Sequence, residues 1–556
     1  MTIKERIKKK IVSLLGLASS SGEAVPNEDR ITLINDTESQ KIAKIQEYCI
    51  WYYGDEEELL NYYTYNNMVN FNYEPYYSRN KRSYFWSISS TETDIKRTHS
   101  GQPRNIVDTL VSILRFPLIG SKSVIDDKHN RVDVNLKRII KESGLERIYK
   151  NKQLPLTLVE GWGCYKINWD KDISDYPYLT YYRAENVDFV YKGGKIIGCV
   201  FKDYYTDGES KKYMLIETRS FKRDEENNCR NLVIEKELFI TDQKGLSAKK
   251  VDFAEVPELQ DVVPYIELGP CDFLLAVPSV LFEDASGLGM HGRSIFTGKV
   301  GLFDDLDQCL SQAANAVRSS TVREYFNTDF LERDRDTGMP KQPKVYDRKY
   351  TMYSGVRGAE GESVSKEPVQ VTQPNVNFQQ YSDHAKEILM QIINGVMSPA
   401  TLGIDVSRKD NAMAQREKEK VTIFTRNSII DAESEILKDV CNQLLCAYEF
   451  MTTGEMTVRE YDISVKFSEF ADDSFENKLK ELSAAFNSET MSEKMFMNKL
   501  YGDTLSPEEY EEEYNWLVEH HTEPKDEGML GAAGGGANLP GMMDNQGVDT
   551  EDYEEL

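Results

Sequence analysis

Hydrophobic positions along the chain follow two repeats, one typical of helices and one typical of strands. In "QPRNIVDTLVSILRFP", residues 102–117, apolar side chains recur every three or four positions, which predicts an amphipathic helix that ends at Pro117. Between residues 155 and 280 the repeat shortens to two, and "VDFVYKGGKIIGCVF" predicts two strands joined by a Gly193-Gly194 turn. We therefore predict a mainly antiparallel sheet attached to the preceding helices.

Three longer helical segments follow the predicted sheet. Apolar stripes mark the first two, "SIFTGKVGLFDDLDQCLSQAANAVRSS" and "NVNFQQYSDHAKEILMQIINGV". The stripe residues that we expect to pack are Phe303, Leu306, Leu310, Val317, Ile388 and Ile392. A third, longer helix precedes the alternating strand "YDISVKF", and a further helical stretch runs to about His521. The fold class that these elements predict is α+β.

Two polar segments separate the three long helices. Residues 323–373 are polar and punctuated by glycine and proline, which predicts a small β-rich insert. "SPATLGIDVSRKDNAM" separates the second helix from the third, and Ser398, Pro399 and Gly403 break the helical pattern there.

Charge narrows the possible partners. The chain of 556 residues has 67 basic and 93 acidic residues, a formal charge of −26. This sign is opposite to that of proteins that grip nucleic acid by neutralising phosphates, so contact with DNA or RNA should be loose or local.

The eight cysteines are scattered without a CxxC pair, which favours a reducing compartment. No apolar run approaches the ~18 residues that span a bilayer, and we expect no membrane insertion.

Aromatic residues crowd the segment from 41 to 120. Such a cluster could stack on bases or sugars, but packing in a core or an interface is the favoured interpretation. The cluster comprises Tyr48, Trp51, Tyr52, Tyr53, Tyr62, Tyr63, Tyr65, Tyr76, Tyr77, Tyr84, Phe85 and Trp86.

The stretch "GLGMHG", residues 287–292, matches the G-x-G-x-x-G pattern of dinucleotide sites. A Rossmann unit needs a strand that ends at the first glycine, but "EDAS" intervenes here, and the next acids lie on the following helix. We interpret the glycines as a flexible entry to that helix.

The rest of the sequence gives little indication of a metal-binding, nucleotide-binding or catalytic site. The acids of "FDDLD" could bind a divalent ion, but a solvated helix start at the positive end of the helix dipole is the favoured interpretation. No Walker loop and no paired zinc spacing among the six histidines is present. We therefore expect no catalytic residue, no metal and no cofactor, and predict that the protein is not an enzyme.

The succession of elements resembles the portal proteins of tailed bacteriophages between residues 41 and 470. The segments that carry the resemblance are "NIVDTLVSILRFP", "LPLTLVEGWGCYKINWD", the first long helix, and the second long helix with "SPATLGID" and the polar run after it. The resemblance implies a portal fold with a helix-rich wing, a two-helix stem, a β-rich clip and a tunnel loop before a long helix. The implied divisions are an amino-terminal arm (1–40), wing (41–290), stem helices (291–322 and 374–396), clip (323–373), tunnel loop (397–412), long helix with a wing strand (413–472), crown-like helical region (473–522) and disordered acidic tail (523–556).

In that family the tunnel loop projects into a central channel. By resemblance, the residues of this chain that would touch DNA are Ser407, Arg408, Lys409, Asp410 and Asn411. A loop beside moving DNA should be polar and of low affinity, because strong ion pairs would stall the duplex. The acidity of the chain fits this role, since like charge keeps DNA from adhering to a channel wall.

The resemblance also implies an assembly. It implies a homo-oligomeric, dodecameric ring at one capsid vertex, assembled in the host cytoplasm and retained in the virion, through which double-stranded DNA passes during packaging and ejection. The implied partners are the terminase large subunit, a neck or head-completion adaptor protein, and the major capsid and scaffolding proteins. A nucleotide-dependent enzyme, or an aromatic-rich binding protein that uses "GLGMHG", is the alternative.

Overall fold

The computed structural model divides into two compact units, Met1–Phe470 and Ala471–Leu556. The residues that it describes are 30–32, 36–73, 84–87, 95–121, 132–206, 211–223, 229–241, 247–284, 291–320, 323–328, 331–341, 349–353, 369–372, 377–404, 418–456, 461–468, 482–483, 486, 492, 495–497 and 512–516. The acidic tail and most of the amino-terminal arm lie outside these ranges. In the second unit the described residues are mostly helical, and the rings of Phe486 and Phe496 lie 5.1 Å apart.

Nine α-helices are described in the first unit. They are α1 (Asp36–Tyr53), α2 (Glu56–Tyr73), α3 (Gln102–Ile113), α4 (Val132–Ser143), α5 (Leu145–Ile148), α6 (Leu154–Glu160), α7 (Val300–Ser319), α8 (Phe378–Ile393) and α9 (Lys420–Thr453). A π-helical turn, Tyr149–Gln153, connects α5 to α6.

The described strands belong to four sheets. They are β1 (Arg30–Thr32), β2 (Leu118–Ser121), β3 (Trp162–Asn168), β4 (Tyr178–Arg183), β5 (Val187–Lys192), β6 (Lys195–Thr206), β7 (Lys212–Arg223), β8 (Arg230–Thr241), β9 (Ser247–Val251), β10 (Tyr265–Leu268), β11 (Ala276–Val280), β12 (Arg323–Asn327), β13 (Lys349–Tyr353), β14 (Val369–Thr372) and β15 (Ile463–Lys466).

The largest sheet is antiparallel throughout and runs in the order β1-β9-β8-β7-β6-β5, with β10 paired to β8. Its β5–β6 hairpin turns at Gly193 and Gly194, whose φ angles of 59° and 79° suit glycine. A second sheet has the order β11-β3-β4, and β15 pairs with β2. The predicted antiparallel sheet and the α+β fold class are confirmed.

The main hydrophobic core joins the amino-terminal helices to the sheet β11-β3-β4 and to α7, α8 and α9. Trp51, Trp86 and Trp162 are fully buried in it, and Trp51 Nε1 donates a hydrogen bond of 2.6 Å to Tyr63 Oη. Most members of the aromatic cluster whose burial is described are buried or half-buried, whereas Tyr53 is 50% exposed. The core interpretation of this cluster is therefore confirmed for those residues.

Candidate functional site

Helices α7 and α8 form an antiparallel pair. At its inner end, Lys299 Nζ donates hydrogen bonds to the carbonyl oxygens of Ile392 and Asn394, the latter at 2.8 Å. Farther out, Cys309 Sγ lies 3.6 Å from the carbonyl oxygen of Tyr381. The last carbonyls of a helix lack intrahelical partners, so Lys299 caps α8 while it marks the start of α7.

The predicted apolar stripe divides along this pair. Its inner members, Phe303, Leu306, Ile388 and Ile392, are buried, each at most 5% exposed. Two members lie farther out on α7 and are exposed: Leu310 by 39% and Val317 by 49%. Four of the six residues are therefore buried within one chain, and two are exposed.

Other apolar side chains at the outer end are exposed as well. Phe378, the first residue of α8, is 56% exposed. Because the helices are antiparallel, this residue lies toward the same end of the pair as Val317. Where such side chains form one patch, the patch usually marks an interaction site.

A small sheet lies between α7 and α8 in the chain. Strand β12 pairs in parallel with β13 and antiparallel with β14. Val371, on the β14 edge, is 63% exposed. The polar segment 323–373 thus contains β-structure, as its composition predicted.

The acids at the start of α7 contradict the interpretation of a solvated helix start. Asp304 and Asp307 are 2% and 0% exposed. Asp304 Oδ2 accepts a hydrogen bond of 2.9 Å from the backbone N–H of Phe85. Asp307 accepts from Trp86 Nε1 at 3.0 Å and from the backbone N–H of Ser100 at 2.8 Å. These carboxylates therefore bind the segment 84–100 to α7.

Histidine completes the arrangement around Asp307. His99 Nδ1 lies 2.7 Å from Asp307 Oδ2, and the imidazole is buried between the indole rings of Trp51 and Trp86. A Cβ atom added to Gly54 would lie 2.6 Å from His99 Cδ2. Nothing in the local sequence pattern distinguishes these buried acids from an ordinary acidic first turn.

The "GLGMHG" stretch has a packing role at its carboxyl end. A Cβ atom on Gly292 would lie 2.1 Å from the carbonyl oxygen of Gly161, and one on Gly161 would lie 2.5 Å from that of Gly292. His291 Nε2 contacts Asp188 Oδ1, and Lys41 Nζ lies 3.4 Å from Asp188 Oδ2. Gly292 thus permits close backbone contact rather than a flexible entry, whereas residues 285–290 lie outside the described ranges.

The polar segment after α8 begins as a docked turn. Helix α8 ends at Ile393, and Gly395 follows with a φ of 75°. The backbone N–H of Ser398 donates to Thr422 Oγ1 at 2.8 Å, and Thr401 Oγ1 lies 2.7 Å from the same hydroxyl. Residues 397–404 are therefore anchored to the first turn of α9, which is described from Lys420 onward.

The five predicted DNA-contacting residues lie outside the described residues, namely Ser407, Arg408, Lys409, Asp410 and Asn411. Within the described part of the chain, no three His, Cys, Asp or Glu side chains are placed to hold a metal ion. No helix among the described residues is long and apolar enough to cross a membrane.

Comparisons with known proteins give little direct support for assigning a fold family or a function. No protein-family model matches the chain, and no curated protein matches it. One similar solved structure is described as "Neck of empty GTA particle computed with C6 symmetry". The likeness has 11% sequence identity and a TM-score of 0.32, and covers 69% of this chain and 84% of that one. A likeness this slight establishes neither a shared fold nor a shared function.

Proposed function

We propose that the chain is the subunit of a ring-forming portal protein of a tailed bacteriophage, a non-enzymatic conduit for double-stranded DNA. In this proposal α7 and α8 form the stem, the sheet β12–β13–β14 belongs to the clip, and the segment after Gly403 faces the channel. The ring would receive the terminase motor during packaging and a neck protein afterwards.

The observation that carries this proposal is the divided stripe on the helix pair. Leu310 and Val317 continue the same helical repeat as Phe303 and Leu306, yet only the inner pair is buried within the chain. An apolar stripe that continues beyond the chain's own core is expected where neighbouring copies pack side by side. The sheet between two antiparallel helices fits a stem that ends in a clip.

Three further features support the proposal. The formal charge of −26 suits a channel that DNA must pass without adhering. The docked turn 397–404 holds one end of the polar segment against α9, so that segment starts from a fixed anchor. The packing of Gly292 against Gly161 accounts for a glycine that the dinucleotide alternative would assign to phosphate binding.

The first test measures the mass of the full chain in solution by size-exclusion chromatography with light scattering. We expect a closed ring of about a dozen subunits for the wild type. Leu310→Asp places a charge in the proposed subunit contact and should convert rings into folded monomers, because an unpaired buried charge is costly. Electron microscopy and circular dichroism report the ring and the fold separately.

The matched control is Leu118→Asp. Leu118 lies in β2, is 66% exposed and receives the same substitution away from the helix pair. Rings should persist in this variant. A wild-type protein that is monomeric, or rings of Leu310→Asp as stable as those of the wild type, would contradict the proposal.

A further inference from the structure

A buried polar cluster lies where the middle of α9 meets the π-helical turn. Glu433 is 0% exposed, and its Oε1 accepts a hydrogen bond of 2.5 Å from Gln153 Nε2. Gln153 Nε2 also donates to Ser279 Oγ on β11 at 2.8 Å. Hydrogen bonds continue through Thr157 Oγ1 to Tyr181 Oη, so one network links α9 to α6, β4 and β11.

Three polar atoms of this cluster have no hydrogen-bond partner among the described residues. They are Glu433 Oε2, Gln153 Oε1 and Tyr165 Oη. Within the same part of the chain, Glu433 forms no ion pair, and Gln153 is its single donor. A buried carboxylate in such surroundings is costly when ionised. A proton on Oε2 removes the charge and with it the cost of burying an ionised carboxylate that has a single hydrogen-bond donor.

The groups around Glu433 are mostly neutral. Burial raises the pKa of Glu433 to about 7, and the hydrogen bond from Gln153 lowers it. The other buried charged residue of α9 is Arg426, whose Nη2 donates to the carbonyl oxygen of Ser468, whereas Asp431 and Glu435 are exposed. The described charged residues of α4 and β15, which also pack against α9, are exposed, namely Lys137, Arg138, Lys141, Glu142 and Lys466. Strand β3 carries the buried Lys166, whose Nζ donates to Glu217 Oε2 at 2.9 Å. The titratable groups that surround the cluster are Tyr149, Tyr165, Tyr181 and Cys441.

We propose that Glu433 is a protonation switch that ties α9 to the π-helical turn when neutral and loosens this junction when ionised. The π-helical turn carries Gln153 at its last position, next to Glu433, and such turns are frequent at functional sites. The same helix also holds the turn 397–404 through Thr422. The switch goes beyond the proposed function and does not depend on ring formation.

The direction of the pH effect follows from the raised pKa. At pH values below the ordinary glutamate value of 4.5, the carboxyl is protonated in both the folded and the unfolded chain, and its contribution to stability is complete. Between 4.5 and about 7 the unfolded chain loses the proton first, so stability falls as pH rises. Above that range both states are ionised, and the contribution no longer changes.

The test is an infrared titration of the full wild-type chain. A protonated carboxyl group has its own C=O stretching band, and we expect one such band to persist to neutral pH and disappear with a midpoint near pH 7. Hydrogen exchange in α9 around Glu433 should accelerate over the same range, beyond the intrinsic rise with pH.

Variants assign the band. Glu433→Gln should remove it and abolish the pH-dependent step in exchange, whereas Glu435→Gln, at an exposed position of the same helix, should change neither. Gln153→Met removes the hydrogen bond that lowers the pKa and should move the midpoint to higher pH.

The wild-type titration needs no variant to fold. The absence of a carboxyl band that titrates near neutral pH would overturn the proposal. A band that survives in Glu433→Gln, or a midpoint that Gln153→Met leaves in place, would overturn it equally.

Discussion

The two halves of α7 carry the same repeat of apolar side chains but lie in different surroundings. In the inner half, Phe303 and Leu306 are buried in the core of the chain. In the outer half, Leu310 and Val317 are 39% and 49% exposed. The repeat shows which face of a helix is apolar. It does not show whether other segments of the same chain pack against that face.

The burial of polar residues also differs between the two halves of α7. In the inner half even Asp304 and Asp307 are buried, because donors from the segment 84–100 reach their carboxylates. In the outer half Ser311 and Ala313 are still buried, but the large apolar side chains of Leu310 and Val317 are exposed. The inner half therefore serves the fold of the subunit, and under the proposed function the outer half serves assembly.

The largest expected effect is that of Leu306→Asp. It buries an unpaired charge in the core and should lower the free energy of unfolding by about 4 kcal/mol or more. Urea denaturation followed by tryptophan fluorescence measures the loss. The control Leu118→Asp, at a 66% exposed position, should stay within about 0.5 kcal/mol of the wild type. If both variants are equally stable, the inner half of α7 is not packed as described.

Asp307→Ala should have the next largest effect. It leaves the buried Trp86 N–H and the partly buried Ser100 N–H without their acceptor, at a cost of about 2–3 kcal/mol in the free energy of unfolding. The control is Asp383→Ala on α8, whose exposed carboxylate accepts a hydrogen bond from Gln379 at 2.8 Å. If the loss in the free energy of unfolding is no greater than in the control, Asp307 belongs to a solvated helix start, as the sequence had indicated. Urea denaturation followed by tryptophan fluorescence measures the loss in both variants.

The smallest effect on stability is expected from Arg408→Glu combined with Lys409→Glu. Surface loops contribute little to the core, so both the fold and the ring should persist. Under the proposed function, added negative charge repeated around the channel should repel DNA phosphates, and we expect particles with shorter packaged genomes. Ring yield by electron microscopy and genome length by gel electrophoresis are measured on the same preparations. Full-length genomes would show that these residues do not line the channel, and loss of the ring would assign them a structural role.

The sequence by itself determined the types of the main elements. The helical repeat predicted α3, α7, α8 and α9, and the repeat of two with Gly193-Gly194 predicted the β5–β6 hairpin. These features depend on residues close together in the chain, whose spacing sets one apolar face. The same repeat identified Leu310 and Val317, the apolar side chains of the proposed subunit contact.

Only the tertiary structure decided which parts of each pattern are covered. It placed Asp307 beside Trp86, which lies 221 residues away, and Glu433 beside Gln153, which lies 280 residues away. It also separated buried Leu306 from exposed Leu310, although the two residues are one helical turn apart. Burial depends on which distant segments pack against a position, and a local repeat carries no information about them.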